Sequence, residues 1–134
     1  MRHAIALASC YLWFLVTPLA SAQELSPGKY SGSAAGALPG TQVTYTLDIK
    51  SVANGVVEGR GERQAIRQDG KRVEGGGCIG SFPLAGTLKS DAIELRATEK
   101  FGASGDCGFR LVGTVTGNKI VGKIGGKLDI ELTR

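Results

Sequence analysis

Apolar and polar residues alternate with a period of two along most of this chain. In Thr41 to Ser51, Val43, Tyr45, Leu47 and Ile49 fall on one face, and Thr44, Thr46, Asp48 and Lys50 on the other. Ile93, Leu95 and Ala97 alternate with Glu94, Arg96 and Thr98. Leu128, Ile130 and Leu132 stand opposite Lys127, Asp129, Glu131 and Thr133. Successive side chains of a strand point to opposite faces, so each pattern predicts a half-buried strand. No segment carries the 3.6-residue period of an amphipathic helix.

Turn signals separate these runs at short intervals: Asn54-Gly55, Asp69-Gly70, Ser90-Asp91, Gly117-Asn118 and Gly125-Gly126. Such pairs accept the positive φ of tight hairpins. The last three strands are predicted over Cys107–Thr116, Lys119–Ile124 and Lys127–Thr133, joined by two-residue turns. The fold class is all-β: an antiparallel up-and-down meander of about eight strands forming a small barrel, with a compact β-sandwich as the alternative.

The first 22 residues break this rhythm. Arg2 supplies a positive start, Ala4 to Val16 is a run of apolar and small residues, and Ala20-Ser21-Ala22 is a small-x-small cleavage site. This reads as a signal peptide cut after Ala22, followed by one domain over residues 23–134. Two other readings compete: an uncleaved anchor over Ala4–Ala22, and lipidation at Cys10 in Leu7-Ala8-Ser9-Cys10. Pro18 and the Ala-x-Ala site speak against the first. The few residues before Cys10 speak against the second. The expected location is periplasmic or secreted, with no stable membrane insertion after cleavage.

Removing 22 of the 134 residues leaves 112 and takes away His3, Trp13, Cys10 and Met1. Without Arg2 the 16 Lys and Arg become 15 against 12 Asp and Glu, a mild excess spread along the chain. That balance gives no ground for nucleic acid as a partner. Two cysteines remain, and in an exported domain they predict a Cys78–Cys107 disulfide. Face parity agrees: Cys107 shares its face with Phe109, Leu111 and Val115, and Cys78 with Phe82, Leu84 and Leu88. A bulge near Gly75-Gly76-Gly77 would upset that count.

Glycines also fall within the strands, at Gly59, Gly61, Gly86, Gly113 and Gly122. They predict sharp sheet curvature, or else an internal cavity left by missing side chains. Gly28-Lys29-Tyr30-Ser31-Gly32 opens the first strand, and the strand–glycine–hairpin rhythm runs to the final Leu128–Thr133 segment. In this the chain resembles the small exported calycin-type barrels, the lipocalin and avidin group, where a Gly-x-aromatic pair starts strand one. The resemblance implies architecture and no ligand. Tyr30 stands in the lipocalin tryptophan place, and the mature chain has no tryptophan for avidin-type ring walls.

Without histidine, the mature chain has no Ser-His-Asp or Cys-His pair, no histidine zinc site and no histidine base. No phosphate-binding glycine loop leads into a helix. No catalytic residue, metal site or cofactor is assigned. The expected function is non-enzymatic binding, probed at two places. Tyr30, Tyr45 and the strand glycines would line an enclosed site for a small apolar ligand. The charged Arg60–Glu74 segment, with Arg60, Arg63, Arg67 and Arg72, would meet an envelope protein, joined by Phe101 from its glycine-rich loop. The plainer reading makes Phe101 a plug over one barrel end, since an isolated phenylalanine rarely stays fully wet. The alternatives are a small hydrolase or isomerase built on carboxylates and tyrosine, and an envelope assembly component pairing its last strand in trans. A monomer is expected, because a closed barrel leaves no free edge.

Overall fold

A computed structural model describes residues 25–36, 39–72 and 77–134. The expected leader with Cys10, and Glu74, Gly75 and Gly76, lie outside the described residues. Eight strands follow in order: β1 (Gly28–Ala35), β2 (Thr41–Ala53), β3 (Val56–Arg67), β4 (Gly80–Lys89), β5 (Ala92–Ala97), β6 (Arg110–Thr116), β7 (Lys119–Ile124) and β8 (Leu128–Thr133). Each pairs antiparallel with the next, and β8 returns to β1, giving a closed barrel. The meander predicted from alternation is therefore the fold, and the sandwich alternative falls away. A closed eight-stranded antiparallel meander is consistent with a calycin-like architecture.

The turns form where positive-φ residues were read. Asn54 and Gly55 have φ of 52° and 75°, the left-handed pair that a type I′ hairpin requires. Gly125 and Gly126 do the same between β7 and β8, with the Lys127 amide donating to the Ile124 carbonyl. That turn places the start of β8 at Leu128, one residue later than expected. β6 also starts later than expected, at Arg110. Cys107 is taken up in a two-way backbone pairing with Phe101.

The interior is filled. All eight strands contribute buried apolar side chains, from Tyr30 on β1 to Leu132 on β8. Leu25, just before β1, and Phe101, between β5 and β6, are buried with them. By strand order these two lie at opposite ends of the barrel. The in-strand glycines serve curvature. At Gly59, Gly86, Gly113 and Gly122 a Cβ would run into the carbonyl of the neighbouring strand. Gly61 is different, since it lies opposite Phe82 and a Cβ there would overlap the Phe82 ring. The aromatic ring thus fills the space that the glycine leaves.

The ladders are unequal. β2 pairs with β3 from Thr41↔Arg67 to Ala53↔Val56, with a bulge between Ile49 and Ser51. A single paired position, Ser31 opposite Thr133, joins β1 to β8. β3 pairs with β4 only as far as Arg63. The last turn of β3 therefore projects, with β2 and the end of β1, beyond the regular barrel wall.

Candidate functional site

The projecting tip carries a cleft of about 610 Å3. Its wall is built by Ser33 and Ala35 of β1, Gln42 of β2 and Ile66 of β3, with Arg67 and Gln68 at the lip. Register explains the grouping. Ala35 pairs with Gln42, and Gln42 with Ile66, so one row crosses three strands. Inward positions on β3 are Val57, Gly59, Gly61, Arg63 and Ala65, which leaves the apolar Ile66 facing outward. Beyond it a tight turn closes with the Gly70 amide donating to the Arg67 carbonyl and the Arg67 amide to that of Lys71.

Asp69 organises this turn. Its carboxylate accepts from the Lys71 amide at 3.0 Å and from the Arg67 guanidinium at 3.0 Å. The Lys71 amide, aided by Arg67, holds the Asp69 carboxyl below its ordinary range. A carboxylate receiving such bonds keeps its charge to lower pH than a free one. The cation at the lip is thus partly neutralised by Asp69, while Lys71 and Arg72 stand exposed beside it.

A second polar construction lies inside the same end. Arg63 turns inward and is half-buried. Its Nε donates to the Tyr45 hydroxyl at 3.1 Å and an Nη to the Cys78 carbonyl at 2.7 Å. The guanidinium also stands over the Tyr45 ring, 5.8 Å from its centroid. The Cys78–Cys107 disulfide is formed, with its Cα atoms 5.5 Å apart. It ties the entry of β4 to the connection before β6. Phe101, 6% exposed, lies on Phe82 at 4.5 Å, and Phe82 stacks on Phe109 at 5.0 Å. This end is closed by an aromatic stack, a disulfide and a hydrogen-bonded arginine.

No family model, no curated protein and no solved structure matches this chain. Its chemistry therefore rests on its own residues. Tyr30 is fully buried, and its hydroxyl donates to the Ser26 carbonyl at 2.8 Å. Tyr45 is buried and bonded to Arg63. Both occupy the core, and Phe101 is the plug. Arg60, Arg67 and Arg72 are exposed, but only Arg67 borders the tip cleft. Arg60 borders a smaller outer cleft of about 210 Å3 with Lys29, Asp48, Glu62 and Ser81. Gln42, Ile66 and Gln68 were not singled out from the sequence. The signal was present at Ile66, an apolar residue in the outward phase of its strand.

Apart from the two tyrosines, no polar or charged residue is buried among the described residues. No group of three or more metal-ligating side chains occurs among them either. The disulfide fits an oxidising compartment. No helix among the described residues is long and apolar enough to cross a membrane.

Proposed function

We propose that this is an exported, non-enzymatic recognition barrel that binds a protein partner on its outside, with the tip cleft as the contact. One observation carries the reading: the interior is filled by buried side chains, while a cleft of about 610 Å3 opens on the outside. An enclosed ligand site needs volume that this core gives to side chains. The cleft offers an apolar floor from Ala35 and Ile66, amide groups from Gln42 and Gln68, and the Arg67 cation. Such mixed surfaces suit recognition better than bond-breaking chemistry. The leader read from residues 1–22 and the disulfide support a periplasmic or extracellular setting for this activity.

A photo-crosslinking residue at Gln68 in the exported protein tests the reading. The expected result is one dominant protein adduct, lost in Arg67→Glu and absent when the crosslinker stands at Lys89. A stoichiometric small molecule released from the purified native protein on unfolding, with no protein adduct, overturns it.

A further inference from the structure

The barrel end that Phe101 closes is covered by a segment with few ties of its own. Between β5 and β6 the chain runs from Thr98 to Phe109. Both ends of this stretch are fixed. The Thr98 amide donates to the Pro83 carbonyl at 3.0 Å, and the Ala97 amide to the Phe109 carbonyl at 2.9 Å. Inside those ends the backbone bonds to itself, through the Phe101–Cys107 pair and the Gly105 amide on the Gly102 carbonyl. Among the described residues no hydrogen bond or ion pair joins residues 99–108 to the barrel wall. The segment is fastened by the packing of Phe101 and Cys107 in the core and by the Cys78–Cys107 disulfide.

The two cysteines are held unequally. Cys78 belongs to the wall: Arg63 of β3 donates to its carbonyl at 2.7 Å, and Gly80, two residues on, pairs with Arg63. Cys107 belongs to the segment. Its sulfur rests against Gly102, where a Cβ would stand 2.7 Å from it. Tying Cys107 to Cys78 therefore also sets Gly102 and, beside it, Phe101. Without the bond, seating Phe101 must order a stretch that contains Gly102, Gly105 and Gly108. Glycine loses more backbone freedom on ordering than any other residue. Burying one ring and one thiol does not offset the ordering of that length of chain.

We propose that residues 98–109 form a lid latched by the Cys78–Cys107 disulfide, and that a dithiol reductant releases it to uncover a seat for one aromatic ring. Cys78 is half-buried and Cys107 buried, so the reductant's thiolate bonds to the Cys78 sulfur. Cys107 leaves as a thiolate and takes a proton. The reductant's second thiol then displaces Cys78, which also ends as a thiol, and the reductant carries away the disulfide. Two electrons and two protons have passed to the protein. The lid turns about its fixed ends, and Phe101 leaves the Phe82 face. The seat is shaped by the ring it held: Phe82 lies 4.5 Å from that ring and stacks on Phe109, which lies 5.6 Å from Tyr45. A planar aromatic group reproduces those contacts. The barrel stays closed, since every strand pairing lies outside residues 98–109. The tip cleft lies on the outer face of β1 to β3 and does not depend on the lid.

Reduction of the exported protein with dithiothreitol, without denaturant, tests the proposal. Alkylation with iodoacetamide and mass spectrometry count the freed thiols. The ring-to-ring NMR cross-peak between Phe101 and Phe82 is expected to fall at least about ten-fold, while cross-strand peaks between β2 and β3 change less than about two-fold. Anilinonaphthalene sulfonate, an aromatic probe, is expected to bind the reduced protein saturably and the oxidised protein not at all, with the far-UV circular dichroism spectrum unchanged. The double variant Cys78→Ser, Cys107→Ser is expected to match the reduced protein without reductant. Oxidised Phe101→Ala is expected to bind the probe with its disulfide closed. Failure of dithiothreitol to free the thiols under native conditions overturns the proposal. So do freed thiols with the Phe101–Phe82 peak intact, a released lid that binds no probe, or loss of the β-sheet spectrum along with the disulfide. The Gln68 adduct is read in the oxidised protein, so the lid and the tip contact stand or fall separately.

Discussion

One methyl group added at Gly61 strikes the core at an aromatic ring. The Phe82 ring already occupies that space. Gly61→Ala is expected to cost about 1–3 kcal/mol in urea unfolding, as overpacking does, with part recovered by Phe82→Leu in the same chain. Tyr30 carries the main buried hydroxyl. Burial pushes its phenol above the ordinary value of 10.0, against the opposing effect of the Arg134 charge. The folded state therefore keeps this proton to higher pH than the unfolded state. The associated stability is complete below pH 10 and is lost as pH climbs through the folded value. Tyr30→Phe is expected to lose about 1 kcal/mol at neutral pH, and the gap to wild type should narrow above pH 10. Asp69 has the opposite sign. Its depressed value favours the turn above the ordinary carboxyl range and loses that effect on acidification. NMR titration of its side chain should show a midpoint below 3.8.

Among the elements, the β2–β3 hairpin and the β1–β8 seam stand at the extremes. The hairpin is long and continuous apart from its bulge, and the seam rests on one regular pair. Amide hydrogen exchange is expected to be slowest in the middle of β2 and fastest along the β1–β8 junction. Equal protection at both would refute this ranking. The disulfide closes a loop of 30 residues, counted over a sequence separation of 29. Its reduction should cost about 3–4 kcal/mol by the chain-entropy argument, seen as a lower urea midpoint. The strands were legible because alternation and left-handed turn pairs are local properties. Val43 to Ile49 and Asn54-Gly55 needed nothing beyond their neighbours. The late start of β6 was not legible, since it follows from the pairing of Cys107 with Phe101. Nor was the inward turn of Arg63, although it shares its phase with Gly61 and Ala65. A charged residue in that phase reads as exposed until Tyr45 and the Cys78 carbonyl arrive from elsewhere in the fold.

Taken whole, the described residues form a filled cylinder, and the proposed recognition falls on its outside. Closure satisfies β1 and β8 with each other, which removes the free edge that trans pairing of the last strand would need. Sedimentation across a wide concentration range is expected to show a monomer, and a concentration-dependent dimer would revive the assembly reading. The candidate surfaces were only half legible in the sequence. The basic segment pointed to the neighbourhood of Arg67, but the row of Ala35, Gln42 and Ile66 exists only once three strands align.

The direction of β1 and β8 has a practical consequence. One enters and the other leaves at the same pole, where Arg134 stands over Gly28. Polypeptide attached before Gly28 or after Thr133 therefore departs away from the Arg67 rim. A molecule moored by either attachment, to a carrier domain or a sensor chip, points that rim outward into solution.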